Sequence, residues 1–284
     1  MLPVVFWQGW GDDEWATGRK EAMMPQQVRV EIEQAVAQLV LCAPDSGNRV
    51  DIGFAQDLAR AVEVIAQADE VRVVWLWAEG KDFSQGGDLR PFHAAIDQLD
   101  EALPELFEAF NPALEQLWSL PVPVVAQVQG WCVGGALGMV SLADVVVAGA
   151  STRLRPAFPG LGISNAGGST IGFASRMGPA AARRFCMLNE LLDAEQGRQA
   201  GLLDVVVDDD LLRARAEEVV HQLASGPTLA YVGMRHNFAR LVGVSVAESL
   251  GFEAENIRVC AASQDAREAV TAFMEKRPSV MRGK

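Results

Sequence analysis

Residues 128–149 read VQGWCVGGALGMVSLADVVVAG. The apolar run Val122–Gln129 leads into this stretch and predicts a buried strand. Glycines at 130, 134 and 135 interrupt it, an apolar segment to about Ala143 predicts a helix, and Val145–Ala148 predicts a second strand. Neighbouring parallel strands need a crossover, usually a helix, so strand, glycine turn, helix, strand argues for an α/β sheet. Residues 116–143 carry no charged side chain, and a run of that length is long enough to span a bilayer. Pro121, Pro123, Gln127, Gln129 and the glycines divide it into a short strand and a helix, so no membrane partner is expected.

Working outward, Val28, Val30 and Ile32 alternate, Ala35–Cys42 forms a second extended run, and together they predict a hairpin. Phe54, Leu58, Val62 and Ile65 have helical spacing within 53–68, and Val71–Trp77 predicts a buried strand. Residues 81–89 form a loop. An acidic helical region from about 92 to 118 follows, which Pro104 and Pro112 are expected to break into pieces. Residues 156–168 are loop-like, and the chain is helix-rich from 169 onward. Residues 1–27, with Trp7, Trp10 and Trp15 among acids and glycines, predict an N-terminal extension. The expected organisation is that extension, a core at 28–205 and a helical region at 206–284.

The 284 residues carry 24 basic and 37 acidic side chains, a formal charge of −13. That balance argues against nucleic acid as a partner, because phosphate binding relies on clustered Lys and Arg. Cys42, Cys132, Cys186 and Cys260 are widely spaced, and with His93, His221 and His236 they show no ligand spacing, so reduced thiols and no metal are expected. No export signal is legible near Asp12, Asp13 and Glu14, which predicts a cytoplasmic protein.

Two loops present backbone N–H groups rather than side chains. Phe83-Ser84-Gln85-Gly86-Gly87-Asp88 follows the first buried strand, and Gly130-Trp131-Cys132-Val133-Gly134-Gly135 precedes the apolar helix. Glycine lets the backbone approach a ligand, and a helix start exposes free N–H groups at its positive end. Two such donors on one carbonyl oxygen make an oxyanion hole. Neither Gly134–Gly138 nor Gly160–Asn165 has the Gly-x-Gly-x-x-Gly spacing of a dinucleotide site. Gly162-Ile163-Ser164-Asn165-Ala166 nearly matches a serine-hydrolase elbow, but Pro156, Pro159 and Gly160 stand where a strand should precede it.

Taken in order, KDFSQGGDL (81–89), residues 128–149, GLGISNAGGSTIGFASRMG (160–178) and SQDAREAVTAFMEKRP (263–278) resemble the crotonase superfamily, the enoyl-CoA hydratase/isomerase family. The resemblance implies a ClpP/crotonase-like α/β fold of repeated ββα units with a helical C-terminal trimerisation region, assembled as a homotrimer or hexamer. It implies an acyl thioester substrate, on CoA or an acyl-carrier-protein pantetheine, and no further cofactor. The thioester carbonyl would sit between the N–H groups of Gly87 and Gly135.

This chain departs from the family at the two glutamates that activate water in hydratases. By motif match these positions are Gly138 and Phe158, and the aspartate of the dehalogenase and isomerase branches is Ala166. General acid–base help contributes about 10²–10⁴ per group, so ordinary hydration is not expected. Decarboxylation or double-bond isomerisation is. Trp131, Leu137, Gly138, Phe158, Ser164 and Asn165 are expected around the substrate, and His93 or His236 are the candidate proton donors. Arg49 and Lys276 would serve the CoA phosphates or the adenine side, and Asp144 a structural hydrogen bond. The alternatives are a non-catalytic thioester-binding homologue and a serine hydrolase using Ser164.

Overall fold

The computed structural model describes residues 26–94, 99–158, 163, 165–239, 277, 278, 280, 282 and 284. A six-stranded sheet organises them, in the order β1 (Val28–Glu33), β2 (Val36–Leu41), β3 (Val73–Ala78), β4 (Val124–Val128), β6 (Val145–Gly149) and β9 (Val205–Val207). The β1–β2 hairpin is antiparallel, as its alternation predicts, and every later pairing in this sheet is parallel.

A smaller sheet joins β5 (Trp131–Val133), β7 (Arg153–Arg155) and β8 (Leu192–Asp193). The isolated bridges Val50↔Gly87 and Ser84↔Cys132 belong to the same kind of contact. One unit therefore recurs along the chain: a strand of the large sheet, a short extended piece paired beside its counterpart, then a helix. The helices closing successive units are α1 (Ile52–Ala66), α2 (Leu89–Ala94) with α3 (Leu99–Ser119), α4 (Gly134–Ser141) and α5 (Ser169–Met177).

Both faces of the large sheet are covered, which explains strands that are apolar throughout. Along β3, Val74, Leu76 and Ala78 enter the main core with α1, α3 and α4, while Val73 and Trp75 meet Leu212, Ala216, Val219 and Val220 of α8 (Leu212–Ala224). The Arg213 guanidinium lies 4.0 Å from the Trp75 ring centroid.

One expectation is overturned. The 92–118 region is not fragmented at its prolines, because α3 runs from Leu99 to Ser119 through both Pro104 and Pro112. A proline inside a helix costs about 3 kcal/mol, and packing offsets it here. Leu106, Phe110, Ala113, Leu114 and Leu117 are buried in the main core, and the leucines and Phe110 each contribute roughly 1.5–3 kcal/mol. Phe110 meets Phe54 of α1 edge-to-face at 6.1 Å. The short strands β8 and β9 lie within the stretch from 169 onward that the sequence reads as helix-rich.

Among the described residues no helix is long and apolar enough to cross a membrane, and no cluster of His, Cys, Asp or Glu could hold a metal ion. Cys42, Cys132 and Cys186 are free thiols, and burial pushes the Cys132 thiol well up, so it is inert. Cys260 and Trp7, Trp10 and Trp15 lie outside the described residues.

The chain closes through Arg235 of α9 (Thr228–Ala239). Its guanidinium donates to the carbonyls of Trp118, Leu120 and Val122 and to Asp144, which also accepts from the Val124 N–H at 2.7 Å. This is the structural hydrogen bonding expected of Asp144. Replacing Arg235 with Met should lower unfolding free energy by about 3–5 kcal/mol, the usual cost of stranding a buried charge partner. Chemical denaturation measures it, and a loss below about 1 kcal/mol would contradict this role.

Candidate active site

The two glycine loops are spliced together by backbone. The N–H of Phe83 donates to Gln129 O at 2.8 Å and that of Ser84 to Trp131 O at 2.9 Å. The Trp131 N–H returns a bond to Asp82 Oδ1 at 3.0 Å. Gly130 stands at this junction with φ +55°, and a Cβ there would lie 2.2 Å from Lys81 O, so only glycine fits.

Asn48 anchors the first loop from below. It is 1% exposed, and it donates to the carbonyls of Glu79 and Asp82 while accepting from the Ala43 N–H. Ser84 Oγ donates to Asn48 O at 2.7 Å and accepts from the Gly86 N–H. Neither Asn48 nor Ser84 was singled out from sequence, because small polar loop residues do not reveal their partners.

Gly86 O accepts from the Val50 N–H, and the Asp88 N–H donates to Val50 O. In extended backbone successive residues point their polar groups to opposite sides. The N–H of the intervening Gly87 is therefore turned away from Val50. Gly135 lies in the first turn of α4, where N–H groups have no intrahelical acceptor. Gly86 packs against Val133, with an added Cβ 3.3 Å from Val133 O, so the loops meet just before their second glycines.

Gly87 and Gly135 open onto one cavity of about 830 Å³. Phe92 of α2 and Phe107 and Phe110 of α3 supply aromatic wall, and Trp131, Ala157 and Phe158 close other sides. Asp88 lies behind Gly87, buried, with the Arg90 guanidinium against it at 2.6 Å. Hydrogen bonds from Arg90 hold its carboxyl below the usual carboxylate range, against the opposing effect of burial.

The structure thus brings Gly87, Gly135, Trp131 and Phe158 together. Arg49 donates to Gln85 Oε1 at 3.1 Å, and Gln85 lies on the rim of the cavity. Leu137 is buried in the main core instead. His93 falls in α2, whose Leu89 and Phe92 line the cavity, but its side chain is outside the described structure, as are Ser164 and Lys276. Asn165 and His236 line a second cavity of about 680 Å³, with Trp118 and Ser169. Asn165 donates to Cys186 Sγ at 3.2 Å.

Gly138 faces backbone. A Cβ there would lie 2.3 Å from Gly167 O and 3.1 Å from Ser169 N, so the 167–169 segment fills the space that a side chain at 138 would need. The sequence alone shows that no acid stands at this position. What it could not see is that no side chain has room.

Two outcomes follow from this geometry. Gly138→Ala should lose about 1–3 kcal/mol of stability by overpacking, measured by urea denaturation; an unaffected midpoint would contradict the contact. Asp88 has a depressed folded pKa, so its contribution is present at neutral pH and fades as pH falls through that folded value. Asp88→Asn should therefore destabilise at neutral pH and flatten the acid limb of the stability profile. An acid limb identical to that of the parent protein would contradict it.

The enoyl-CoA hydratase/isomerase family matches residues 31–284. A trans-2-decenoyl-[acyl-carrier-protein] isomerase of Streptococcus mutans is 27% identical over 260 residues, 91% of this chain and 99% of that protein. A 1,2-epoxyphenylacetyl-CoA isomerase of Escherichia coli is 28% identical, covering 89% and 97%. The crystal structure of an enoyl-CoA hydratase from Shewanella pealeana superposes with a TM-score of 0.80 at 26% identity, covering 89% of this chain and 95% of that one.

Proposed function

The chain belongs to the enoyl-CoA hydratase/isomerase family of the crotonase superfamily and has its mixed α/β fold, and from that premise we propose that it is an enzyme acting on an acyl thioester through an enolate. The observation that carries this reading is the pair of N–H groups at Gly87 and Gly135, facing a cavity whose described lining holds no carboxylate. The carrier is CoA or an acyl-carrier protein, and no further cofactor takes part.

The thioester oxygen accepts from both N–H groups. As a bond to the α-carbon breaks, to a proton or to CO₂, negative charge moves onto that oxygen. The positive end of α4 and the two dipoles are already aimed there, so little reorganisation is needed. The aromatic wall keeps water away, which strengthens these interactions.

Hydration demands an activated water, and neither Gly138 nor Phe158 moves a proton. The neighbour Ala157, which also lines the cavity, does not either. Decarboxylation or double-bond isomerisation remains. Decarboxylation needs no base at the α-carbon, only a proton for the enolate it leaves; isomerisation, the chemistry named for the Streptococcus mutans relative, needs a group that takes the proton from the α-carbon and returns it along the chain, for which His93 of α2 is the candidate.

Purified protein should convert a malonyl-type or a 3-enoyl thioester while hydrating crotonyl-CoA slowly or not at all; rapid crotonyl-CoA hydration would overturn the reading. Gly135→Pro removes an N–H at a helix start, where proline is tolerated, and should lower turnover about 10²–10³-fold with the circular dichroism retained. Undiminished turnover would place the oxyanion elsewhere.

A further inference from the structure

The cavity between the glycine loops carries one charge on its described lining. Arg155 is the sole titratable side chain there. The two side-chain amides on that lining are already engaged with protein. Gln85 bonds Arg49 and Asp82, and Asn189 Oδ1 accepts from the Ala157 N–H at 3.0 Å. The Arg155 guanidinium makes no hydrogen bond or ion pair among the described residues, although nine other arginines of the same structure do so within ten salt bridges, Arg29 and Arg235 among them.

Its position is set by backbone. Arg155 ends β7, and its Cα pairs with that of Val133 in the parallel β5–β7 ladder. Strands so paired lie about 5 Å apart, and Gly135 follows Val133 by two residues. Leu154, on the opposite face of β7, is fully buried and holds the strand down. Pro156 follows directly and is itself on the cavity wall.

A guanidinium stays charged at any pH a protein survives, and offers five donors in a planar fork that matches a carboxylate. It remains hydrated while the cavity is open. The side chain is exposed, so an acyl group between Phe107, Phe110 and Phe158 displaces part of that water, which a neutral chain does not replace. A carboxylate on the acyl group does.

We infer that Arg155 makes this site selective for thioesters whose acyl group carries a carboxylate. The inference rests on the thioester reading above, which places the acyl group in this cavity. The carboxylate sits either on the α-carbon, as in a malonyl group, or at the chain end, as in a glutaryl group. An ion pair with an α-carboxylate is strongest in the ground state and so opposes loss of CO₂, whereas a chain-end carboxylate is anchored without affecting the α-carbon.

The test is calorimetric titration of the full-length protein and of Arg155→Gln with malonyl-CoA, glutaryl-CoA, pentanoyl-CoA and CoA itself. The parent protein should bind one acidic thioester about 10–100-fold more tightly than pentanoyl-CoA, the range of a charge-assisted pair. Which acid is preferred locates the carboxylate. In Arg155→Gln that ratio should collapse toward one, and Arg155→Lys should restore part of it. No preference for either acid in the parent protein would overturn the inference, while binding of pentanoyl-CoA would leave the thioester reading standing. Equal weakening of all four ligands in Arg155→Gln would also overturn it, by assigning the guanidinium to the CoA phosphates. Failure of every ligand to bind would sink both readings together.

Discussion

The splice between the two glycine loops is the constraint on which the site depends. Two backbone bonds run from Phe83 and Ser84 to Gln129 and Trp131, and Asp82 accepts the return bond from Trp131. Separately, each loop is a turn after a parallel strand. Joined, they present Gly87 and Gly135 to one volume. Buried backbone groups left unpaired cost about 1–3 kcal/mol each, so the same bonds that satisfy these loops hold them in register. Asn48 and Ser84 extend this lock to the segment leading into α1, which ties the position of the donors to the large sheet.

The second consequence is what the site lacks. Backbone of Gly167 and Ser169 lies against Gly138, and Ala157 and Phe158 take the other wall. The described lining near the donors is therefore mostly apolar and holds no carboxylate, with Arg155 its one charged side chain. In such surroundings fixed dipoles act strongly on a developing oxyanion, and water is poorly served. The strained backbone agrees with a built site: Ala157 holds φ +67°, kept there in part by its bond to Asn189, and positive φ in a residue other than glycine is uncommon.

How much of this was legible in the sequence depended on whether the physical cause was local. The β1–β2 hairpin and the buried strand β3 are encoded by alternation and by β-branched runs. The glycine loops were legible because Gly130 and Gly134 sit at positive φ, with Gly130 facing contacts that no other residue survives. The unbroken α3 was not legible, because its prolines are outvoted by packing on α1 that no single-residue propensity contains. Short β5 and β7 were missed for the same reason. Phe107 and Phe110 hid within an acidic helix, and Arg155 carried no signal of its own, because its place depends on pairing with Val133 across a short sheet. Leu137 has helical neighbours that face the site, yet its own side chain turns into the core.

The most direct measurement of the central claim is isotope-edited infrared difference spectroscopy of bound butyryl-CoA carrying a ¹³C thioester carbonyl. Two converging N–H donors polarise that carbonyl, so its stretch should fall to lower wavenumber on binding, and Gly135→Pro should recover part of the shift. A bound carbonyl that vibrates as it does in water, in the parent protein and the variant alike, would contradict the account.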